Sequence, residues 1–538
     1  MNRRSFLLQS TAATTFLMSG RLRLFAAESP VVETSAGRIQ GLVEGKAFTF
    51  KGVPYGASTA GAGRFMPPSK PQPWKDVKRT VDYGLRSPQI RAPGGGLVPE
   101  AAVMEWNGPM GEDCLVLNVW TPALKDNGRR PVMVWLHGGG YANGSAAFTF
   151  YDGHNLAEKH DVVVVGVNHR LNIFGYLYLA EISEKYAHGG NAGMQDSILA
   201  LQWIKENIAN FGGDPNNVTI FGQSGGAGKV STMLGMPAAK GLYHRAIAMS
   251  GASIRGVNKS DATESALSVL RRLNIDKSKV DDIQKVPMQQ LLELTVTGGR
   301  GSGNPPLRLS PVVDGYSLPA HPFAPATDIS SNIPLIIGST ETEVTWNANT
   351  DYTPLDDAAL HNKVKQMLRT DDAKADHVIS VYKKGRPKAS NLDIFLVAST
   401  TASNFRQGPE EEAIRKADQK KAAVYKYYFQ WYSPVREGKL RSMHTMDIGF
   451  VFDNVDIAKS ELGEGKDRQP LADKMSAAWV TFARTGNPNH KGLPSWPAFN
   501  LNERPTMVFN KECKVMNDPY KEERMAIKEA TGGRETEG

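Results

Sequence analysis

The sequence contains few cysteines and no cluster of metal-binding residues. Only two of its 538 residues are cysteines, Cys114 and Cys513. One bridge between them and two buried free thiols are the two alternatives that this count leaves open. No group of cysteines and histidines has the spacing of a zinc site. The sequence therefore predicts neither a bound metal nor another cofactor.

Strong charge and long apolar segments are also lacking. The formal net charge is +8, and no stripe of lysine and arginine alternates with aromatic residues, so we expect no nucleic-acid partner. No segment has the roughly eighteen consecutive apolar residues that a membrane-spanning helix requires, so we expect no membrane span. A chain of this length, 41% of it hydrophobic, can bury a large core without a disulfide or a metal.

The first 27 residues resemble an export signal rather than part of a fold. Arg3 and Arg4 precede a short and weakly apolar segment, which is typical of bacterial twin-arginine signals, and Ala26 and Ala27 suit a cleavage site. An amphipathic or disordered start is the alternative. We expect export through the twin-arginine machinery to the periplasm or beyond. Loss of four arginines with this segment lowers the net charge from +8 to about +4.

The rest of the chain has the pattern of one α/β domain over residues 28–520, followed by a charged C-terminal tail over 521–538. Short alternating runs in residues 31–55 predict a small antiparallel N-terminal sheet. Buried strands that alternate with helices predict a large, mostly parallel sheet flanked by helices, with functional sites at the carboxyl ends of the strands. The continuous apolar runs lie at 115–120, 132–136, 162–167, 218–221, 246–249, 334–337 and 424–429.

A G-x-S-x-G motif at residues 222–226 marks the candidate nucleophile, Ser224. A predicted strand precedes it and a helix begins near residue 227, which is the setting of a nucleophile elbow. Gly222 and Gly226 allow neighbouring backbone to pass where a Cβ atom would clash. Ser224 is then exposed at the top of the sheet near a helix N-terminus, which favours developing negative charge.

A second motif offers hydrogen-bond donors for an acyl-transfer reaction. The run at 132–136 is followed by His137 and three glycines, and we name residues 137–140 the glycine turn. Consecutive glycines leave backbone N–H groups free to face a ligand oxygen. We expect Gly139 and Gly140 to form an oxyanion hole together with the N–H of Gly225. A merely flexible turn is the alternative.

Both motifs, with further segments, make the chain resemble the type B carboxylesterases, the family that includes the cholinesterases. The similarity extends from about residue 31 to residue 519. It implies an α/β-hydrolase fold and a small-molecule ester substrate. The further matching segments are FKGVPY (50–55), RF (64–65), EDCLVLNVW (112–120), NHRL (168–171), FG (174–175), NAG (191–193), FGGDP (211–215) and WP (496–497).

The resemblance also implies the other members of a catalytic triad. The segment GSTETE (338–343) places the catalytic acid at Glu343, with Glu341 as the alternative. The segment HTMDIGFVF (444–452) places the base at His444. The chain order Ser, Glu, His is the one expected of an α/β-hydrolase. Ser250 is either a support for Glu343 or an ordinary serine at the end of a strand.

The reaction predicted from these residues is hydrolysis of a carboxylic ester through an acyl-enzyme. His444 takes the proton of Ser224, protonates the leaving alcohol and then activates water, while Glu343 holds the imidazole. One alternative is a specialised hydrolase for an amide, carbamate, lactone or polymer ester, since the same triad serves all of these. The other is a non-catalytic binding protein of the same fold, which would usually have lost triad residues.

Other residues near the motifs receive weaker assignments. Tyr141, Phe174 and Trp346 are candidates for the substrate pocket because they neighbour motif residues, and plain packing is the alternative for each. We expect His137 to order the glycine turn and His169 to be structural. Gly225 stands where the family commonly has Ala, and because the donor is a backbone N–H we expect little effect from this difference. Gln223 removes the charge of the Glu found before the nucleophile in cholinesterases.

Overall fold

A computed structural model describes residues 29–90, 98–102, 105, 107–297 and 305–532. The predicted export signal at 1–27 lies outside these residues, as do 533–538 of the predicted tail. Strands over the described ranges are β1 Val31–Thr34, β2 Gly37–Gln40, β3 Leu42–Glu44, β4 Ala47–Pro54, β5 Lys78–Arg79, β6 Val116–Thr121, β7 Arg130–Leu136, β8 Val163–Val167, β9 Gly213–Gln223, β10 Arg245–Met249, β11 Leu335–Thr340, β12 Val424–Phe429, β13 Pro505–Phe509 and β14 Lys514–Asn517.

Eleven of these strands form the large sheet, in the order β14-β13-β12-β11-β10-β9-β7-β8-β6-β4-β3. Strands β7 to β13 run parallel to one another. The edges are antiparallel, with β14 on one side and β6, β4 and β3 on the other. Each apolar run named above overlaps one of the strands, so the predicted large, mostly parallel sheet is confirmed.

The N-terminal strands divide between two sheets. β1 pairs with β2 in antiparallel fashion, and β2 pairs with β5 in parallel, so that these three form a small separate sheet. β3 and β4, which the sequence assigns to the same small sheet, instead extend the edge of the large one through β6. The long strand β4 can do this because its residues alternate between buried and partly exposed positions along much of its length.

Helices cover both faces of the large sheet. In the described residues they are α1 Pro99–Ala102, α2 His154–His160, α3 Asn172–Tyr176, α4 Ala192–Asn207, α5 Gly225–Leu234, α6 Lys259–Arg272, α7 Met288–Val296, α8 Asp357–Leu368, α9 Asp372–Gly385, α10 Asn391–Ala402, α11 Asn404–Asp418, α12 Met446–Val451, α13 Lys459–Leu462, α14 Arg468–Thr485 and α15 Lys521–Ala530. Helix α15 opens the predicted charged tail, and its buried Ala526 and Ile527 pack with side chains of α8, α9 and α10. This helix therefore belongs to the packed domain.

The large sheet separates two hydrophobic cores. Val132 and Val134 of β7 belong to one core, and the intervening Met133 belongs to the other, because successive side chains of a strand point to opposite faces. Cys114 lies in the first core and Cys513 in the second. Both are buried free thiols, so of the two alternatives for these residues the structure has the free thiols. Their positions in different cores explain why no bridge forms.

Candidate active site

The candidate nucleophile lies in a sharp turn between β9 and α5. Ser224 has φ 58° and ψ −125°, a backbone conformation that residues other than glycine rarely adopt. Its N–H donates to the carbonyl of Met249 at 2.8 Å. A Cβ atom on Gly222 would lie 2.5 Å from the carbonyl carbon of Gly226, and one on Gly226 would lie 2.0 Å from the oxygen of Leu136. Both glycines of the motif are therefore required by close backbone contact.

A carboxylate and an imidazole are paired close to this turn. Glu343 follows β11, and its Oε2 forms a short hydrogen bond with Nδ1 of His444, which lies in the loop after β12. The other oxygen, Oε1, accepts the N–H of Thr340 at 2.7 Å. The two loops are cross-linked, since the N–H of Thr342 donates to the Ser442 carbonyl at 3.1 Å and the N–H of Ser442 donates to the Thr342 hydroxyl at 3.0 Å. The carboxylate–imidazole pair is thus held from both sides.

The alternative acid, Glu341, has different partners. Its Oε1 accepts hydrogen bonds from the Arg386 guanidinium at 2.6 Å and from the Gln430 amide at 2.7 Å. Both glutamates follow β11, which ends at Thr340, but their hydrogen-bond partners differ. Of the two glutamates, Glu343 is the one that contacts His444.

Besides Glu343, three side chains lie beside the imidazole of His444, and the sequence does not predict this contact for two of them, Gln223 and Phe405. The amide nitrogen of Gln223 lies 3.3 Å from each ring nitrogen of His444. The Phe405 ring lies 4.4 Å from the imidazole, centroid to centroid, and the Trp346 ring lies 5.8 Å from it. Gln223 could have been found from its place beside Ser224. Phe405 belongs to helix α11, far along the chain, and no motif marks it.

The glycine turn contacts the first residue of α5 directly. Gly139 and Gly140 have φ angles of 91° and 61°. Their N–H groups have no hydrogen-bond acceptor among the described residues. A Cβ atom on Gly225 would lie 2.3 Å from both N and Cα of Gly140. The three predicted donors therefore belong to two segments in backbone contact. The same contact contradicts the expectation that Ala at position 225 makes little difference.

Two stacked imidazoles lie under the glycine turn. The rings of His137 and His169 are 4.7 Å apart and nearly parallel. Nδ1 of His137 donates to the Gly138 carbonyl at 2.8 Å, and Nδ1 of His169 donates to the Arg170 carbonyl at 3.0 Å. Burial lowers the pKa of both histidines, with the nearby charge of Lys229 as a further cause. Both rings are accordingly neutral and serve to order the turn.

The elbow, the three glycines of the turn and His444 face one cavity of about 1240 Å³, which is larger than the roughly 300–1,000 Å³ typical of small-molecule sites. Ser224 and His444 both line it, together with Tyr141 and Trp346 among the predicted pocket residues. The Tyr141 hydroxyl is within 2.9 Å of the Ser253 hydroxyl, which fixes the ring in the wall. The cavity can hold a substrate considerably larger than a simple acetate ester.

Phe174 is not brought to this cavity. It lies in α3 with 3% of its surface exposed and packs in a core with Leu177 and Leu291. The Arg64 guanidinium lies 5.9 Å from its ring. The alternative of plain packing describes this residue, because the whole of α3 is buried and its ring turns away from the sheet edge into that core.

Ser250 and Asp447 occupy buried positions near Glu343. The Ser250 hydroxyl has no hydrogen-bond partner among the described residues, so the structure has it as a serine at the end of β10 rather than a support for Glu343. Asp447 accepts a hydrogen bond from the Tyr427 hydroxyl at 2.7 Å. Burial raises the pKa of Asp447 to about 7, and the negative charge of Glu343 acts in the same direction.

Within the described ranges, no three or more His, Cys, Asp or Glu side chains are grouped to hold a metal ion. None of the helices there combines the length and the apolar character needed to cross a membrane.

The parallel sheet and the elbow between β9 and α5 define an α/β-hydrolase fold, and comparison with known proteins narrows the class. The model of the carboxylesterase family matches residues 28–528, and the chain belongs to this family of carboxylic ester hydrolases. Para-nitrobenzyl esterase of Bacillus subtilis is 33% identical over 510 residues, which cover 92% of this chain and 98% of that protein.

Two further relatives carry more specific descriptions. Phenmedipham hydrolase of Pseudarthrobacter oxydans is 31% identical over 512 residues, covering 93% of this chain and 99% of that protein. A solved structure from Clostridium hathewayi, described as an esterase that can hydrolyze aliphatic aromatic polyesters, has a TM-score of 0.79 at 31% identity. It covers 94% of this chain and 99% of that one.

Replacement of Gly225 tests the contact between the glycine turn and α5. We expect Gly225→Ala to lower kcat for ester hydrolysis about 10-fold to 100-fold, since the new methyl group must push Gly140 away from the elbow. Gly385→Ala is the control, because Gly385 is an exposed helical residue without a positive φ, and the nearest atom to a Cβ there is a side-chain oxygen of Glu523 at 3.1 Å. Wild-type kcat in a correctly folded Gly225→Ala variant would contradict the assigned contact.

Proposed function

We propose that this chain is a serine carboxylesterase that hydrolyses carboxylic esters through Ser224, His444 and Glu343. The observation that carries the proposal is the buried hydrogen bond between His444 and Glu343. The imidazole of His444 lines the same cavity as Ser224. Membership of the carboxylesterase family supports the reaction class. The arrangement matches the roles of nucleophile, general base and orienting acid.

Acylation begins when Ser224 attacks the ester carbonyl carbon. Nε2 of His444 takes the hydroxyl proton as the Oγ–carbon bond forms, and it then gives that proton to the leaving alkoxide as the ester C–O bond breaks. Glu343 accepts a hydrogen bond from the Nδ1–H of His444, which fixes the tautomer of the imidazole. The negative charge of Glu343 also stabilises the imidazolium. The Thr340 N–H, bound to Glu343, keeps this carboxylate in place.

Deacylation repeats the same steps with water as the nucleophile. His444 removes a proton from water while the water oxygen attacks the acyl carbon. It then returns this proton to Oγ of Ser224 as the bond between Oγ and the acyl carbon breaks and the acid leaves. In both halves of the reaction the carbonyl oxygen carries negative charge in the tetrahedral intermediate. The N–H groups of Gly139, Gly140 and Gly225 are the proposed donors to this oxygen, each worth roughly 3–4 kcal/mol.

A specialised hydrolase for bulky substrates is the second candidate. The cavity of about 1240 Å³ favours a substrate with large acyl or alcohol groups. One structural relative is described as acting on aliphatic aromatic polyesters, and one sequence relative is named phenmedipham hydrolase. An amide, carbamate or polymer ester would be cleaved by the same three residues. A non-catalytic binding role is disfavoured because all three proposed triad side chains are present and two are hydrogen-bonded.

We further propose that the chain is exported by the twin-arginine machinery. The support is the sequence of residues 1–27, with Arg3 and Arg4 ahead of a weakly apolar segment. Replacement of both arginines by lysine should retain the precursor in the cytoplasm of a bacterial host, whereas the unaltered chain should be recovered from the periplasm or the medium. Equal export of both forms, measured by immunoblot of cell fractions, would contradict this pathway.

Activity on p-nitrophenyl esters of short and medium chain length tests the triad, with wild type and three variants compared. We expect Ser224→Ala to lower kcat/KM by a factor of at least about 10³, and Glu343→Gln by about 10² to 10⁴, because the nucleophile or the correct tautomer is lost. Glu341→Gln is the matched control, since its partners are Arg386 and Gln430 rather than His444. It should keep activity within about threefold of wild type.

Two outcomes would contradict this assignment. Activity that survives in Ser224→Ala would mean that another group is the nucleophile. A larger loss in Glu341→Gln than in Glu343→Gln, with both variants showing the wild-type circular dichroism spectrum, would exchange the roles of the two glutamates. A well-folded wild type without turnover on any of these esters would favour the second candidate substrates.

A further inference from the structure

Lys229 is a fully buried cation under the glycine turn, and the proposed mechanism does not use it. Its side chain has 0% of its surface exposed, and Nζ donates a hydrogen bond to the His137 carbonyl at 2.8 Å. The Tyr141 ring is 5.8 Å from Nζ. Lysine is almost never buried completely unless it is paired with an acid, so this position requires an explanation.

The groups facing Lys229 from the neighbouring elements are not anionic. His137 and His169 are neutral because burial lowers the pKa of both. Glu412 of α11 accepts a hydrogen bond at 2.6 Å from the hydroxyl of Ser231, which is two positions from Lys229 and so on another side of α5, and burial raises the pKa of Glu412 to about 8. Among the described residues no carboxylate is paired with Lys229, whose pKa burial lowers to about 7. The ammonium of Lys229 therefore has no anionic partner among the described residues before the reaction begins.

Lys229 and Gly225 both contact the glycine turn from one face of the same helix, α5. The two residues are four positions apart in α5, so they lie on one side of it, one turn apart. Gly225 is in backbone contact with Gly140, the last residue of the turn, and Lys229 binds the carbonyl of His137, its first residue. The helix that carries one proposed oxyanion donor thus fixes both ends of the segment that carries the other two.

We propose that Lys229 is a positioning residue for the oxyanion hole, whose ammonium holds the glycine turn against α5 and supplies positive potential beneath the site of negative charge. This inference rests on the proposed esterase function. The unpaired cation acquires a nearby negative charge when the tetrahedral oxyanion forms. An interaction that is stronger in the transition state than in the ground state raises kcat rather than substrate binding.

The charge requirement gives a pH dependence with a defined sign. The ammonium form is the one that serves the reaction, so the contribution of Lys229 to kcat should be present below its pKa, near 7, and should be lost as the pH rises through that value. The other titratable groups that face it are His137 and His169, which are already neutral, and Tyr141, whose pKa burial raises. Glu412, with a pKa of about 8, titrates in the same range, but it is bound to Ser231 on another side of α5.

The test compares Lys229→Met, which removes both charge and donor, with Lys229→Gln, which keeps an N–H donor and removes the charge. Lys416→Met is the matched control, because Lys416 is also a buried lysine bound to backbone carbonyls, those of Ser330 and Ser331, and unlike Lys229 it donates to no residue of the glycine turn. Wild type and Ser224→Ala are measured in parallel. Each protein is assayed for kcat and KM with one p-nitrophenyl ester between pH 6 and 9.5.

We expect both Lys229 variants to lose kcat about 10-fold to 100-fold with KM changed less than about threefold, because the lost interaction acts on the transition state. The alkaline decline of kcat/KM expected of wild type should be absent from both variants and present in Lys416→Met. Melting curves establish that each variant assayed is folded. A merely structural lysine would move the melting temperature without removing a limb of the pH profile.

The inference is overturned if both Lys229 variants keep wild-type kcat, or if the alkaline limb persists in them unchanged. If Lys229→Met fails to fold, Lys229→Gln alone tests the inference, since it retains an N–H donor without the charge. Failure of the proposed function would be distinguishable. In that case wild type itself is inactive or Ser224→Ala stays active, whereas failure of the Lys229 assignment leaves an active wild type, an inactive Ser224→Ala and unaffected Lys229 variants.

Discussion

The contact between the glycine turn and the first turn of α5 is a contact of backbone on backbone, and the rest of the site depends on it. Cβ atoms on Gly225 or Gly226 would approach within 2.3 Å and 2.0 Å of the facing main chain. Only segments without side chains can come so close, and only then can N–H groups from two separate strand ends converge on one oxygen. The strained backbone of Ser224 follows from the same close approach.

The parallel sheet supplies the other half of the arrangement. Because β9, β11 and β12 run parallel and lie close together in the sheet order, the residues that follow them emerge at one edge. Ser224 follows β9 and Glu343 follows β11, and His444 lies in the loop after β12. The two hydrogen bonds between Thr342 and Ser442 then fix the last two loops to each other. Positioning is thus achieved by strand order and by a few cross-links between loops.

Much of this could be predicted from the sequence because the informative features are local. Continuous apolar runs predict buried strands, and the motif around Ser224 needs only a strand before it and a helix after it. Glu343 was assigned through family resemblance. Phe405 and Lys229 could not be placed in this way, because their relevance arises from contacts between distant segments. Sequence proximity places Phe174 near the pocket and β3 and β4 in the small sheet. Both predictions are wrong, because residues that are neighbours in sequence need not share an environment.

Covalent labelling of the nucleophile tests the central claim most directly. Diethyl p-nitrophenyl phosphate transfers its diethylphosphoryl group to an activated serine hydroxyl and releases p-nitrophenolate, so intact-mass measurement and peptide mapping report both the extent and the position of reaction. We predict one diethylphosphoryl group per chain on Ser224, released p-nitrophenolate in equal amount, and no label in Ser224→Ala. A label on another residue, or labelling that persists in Ser224→Ala, would contradict the account.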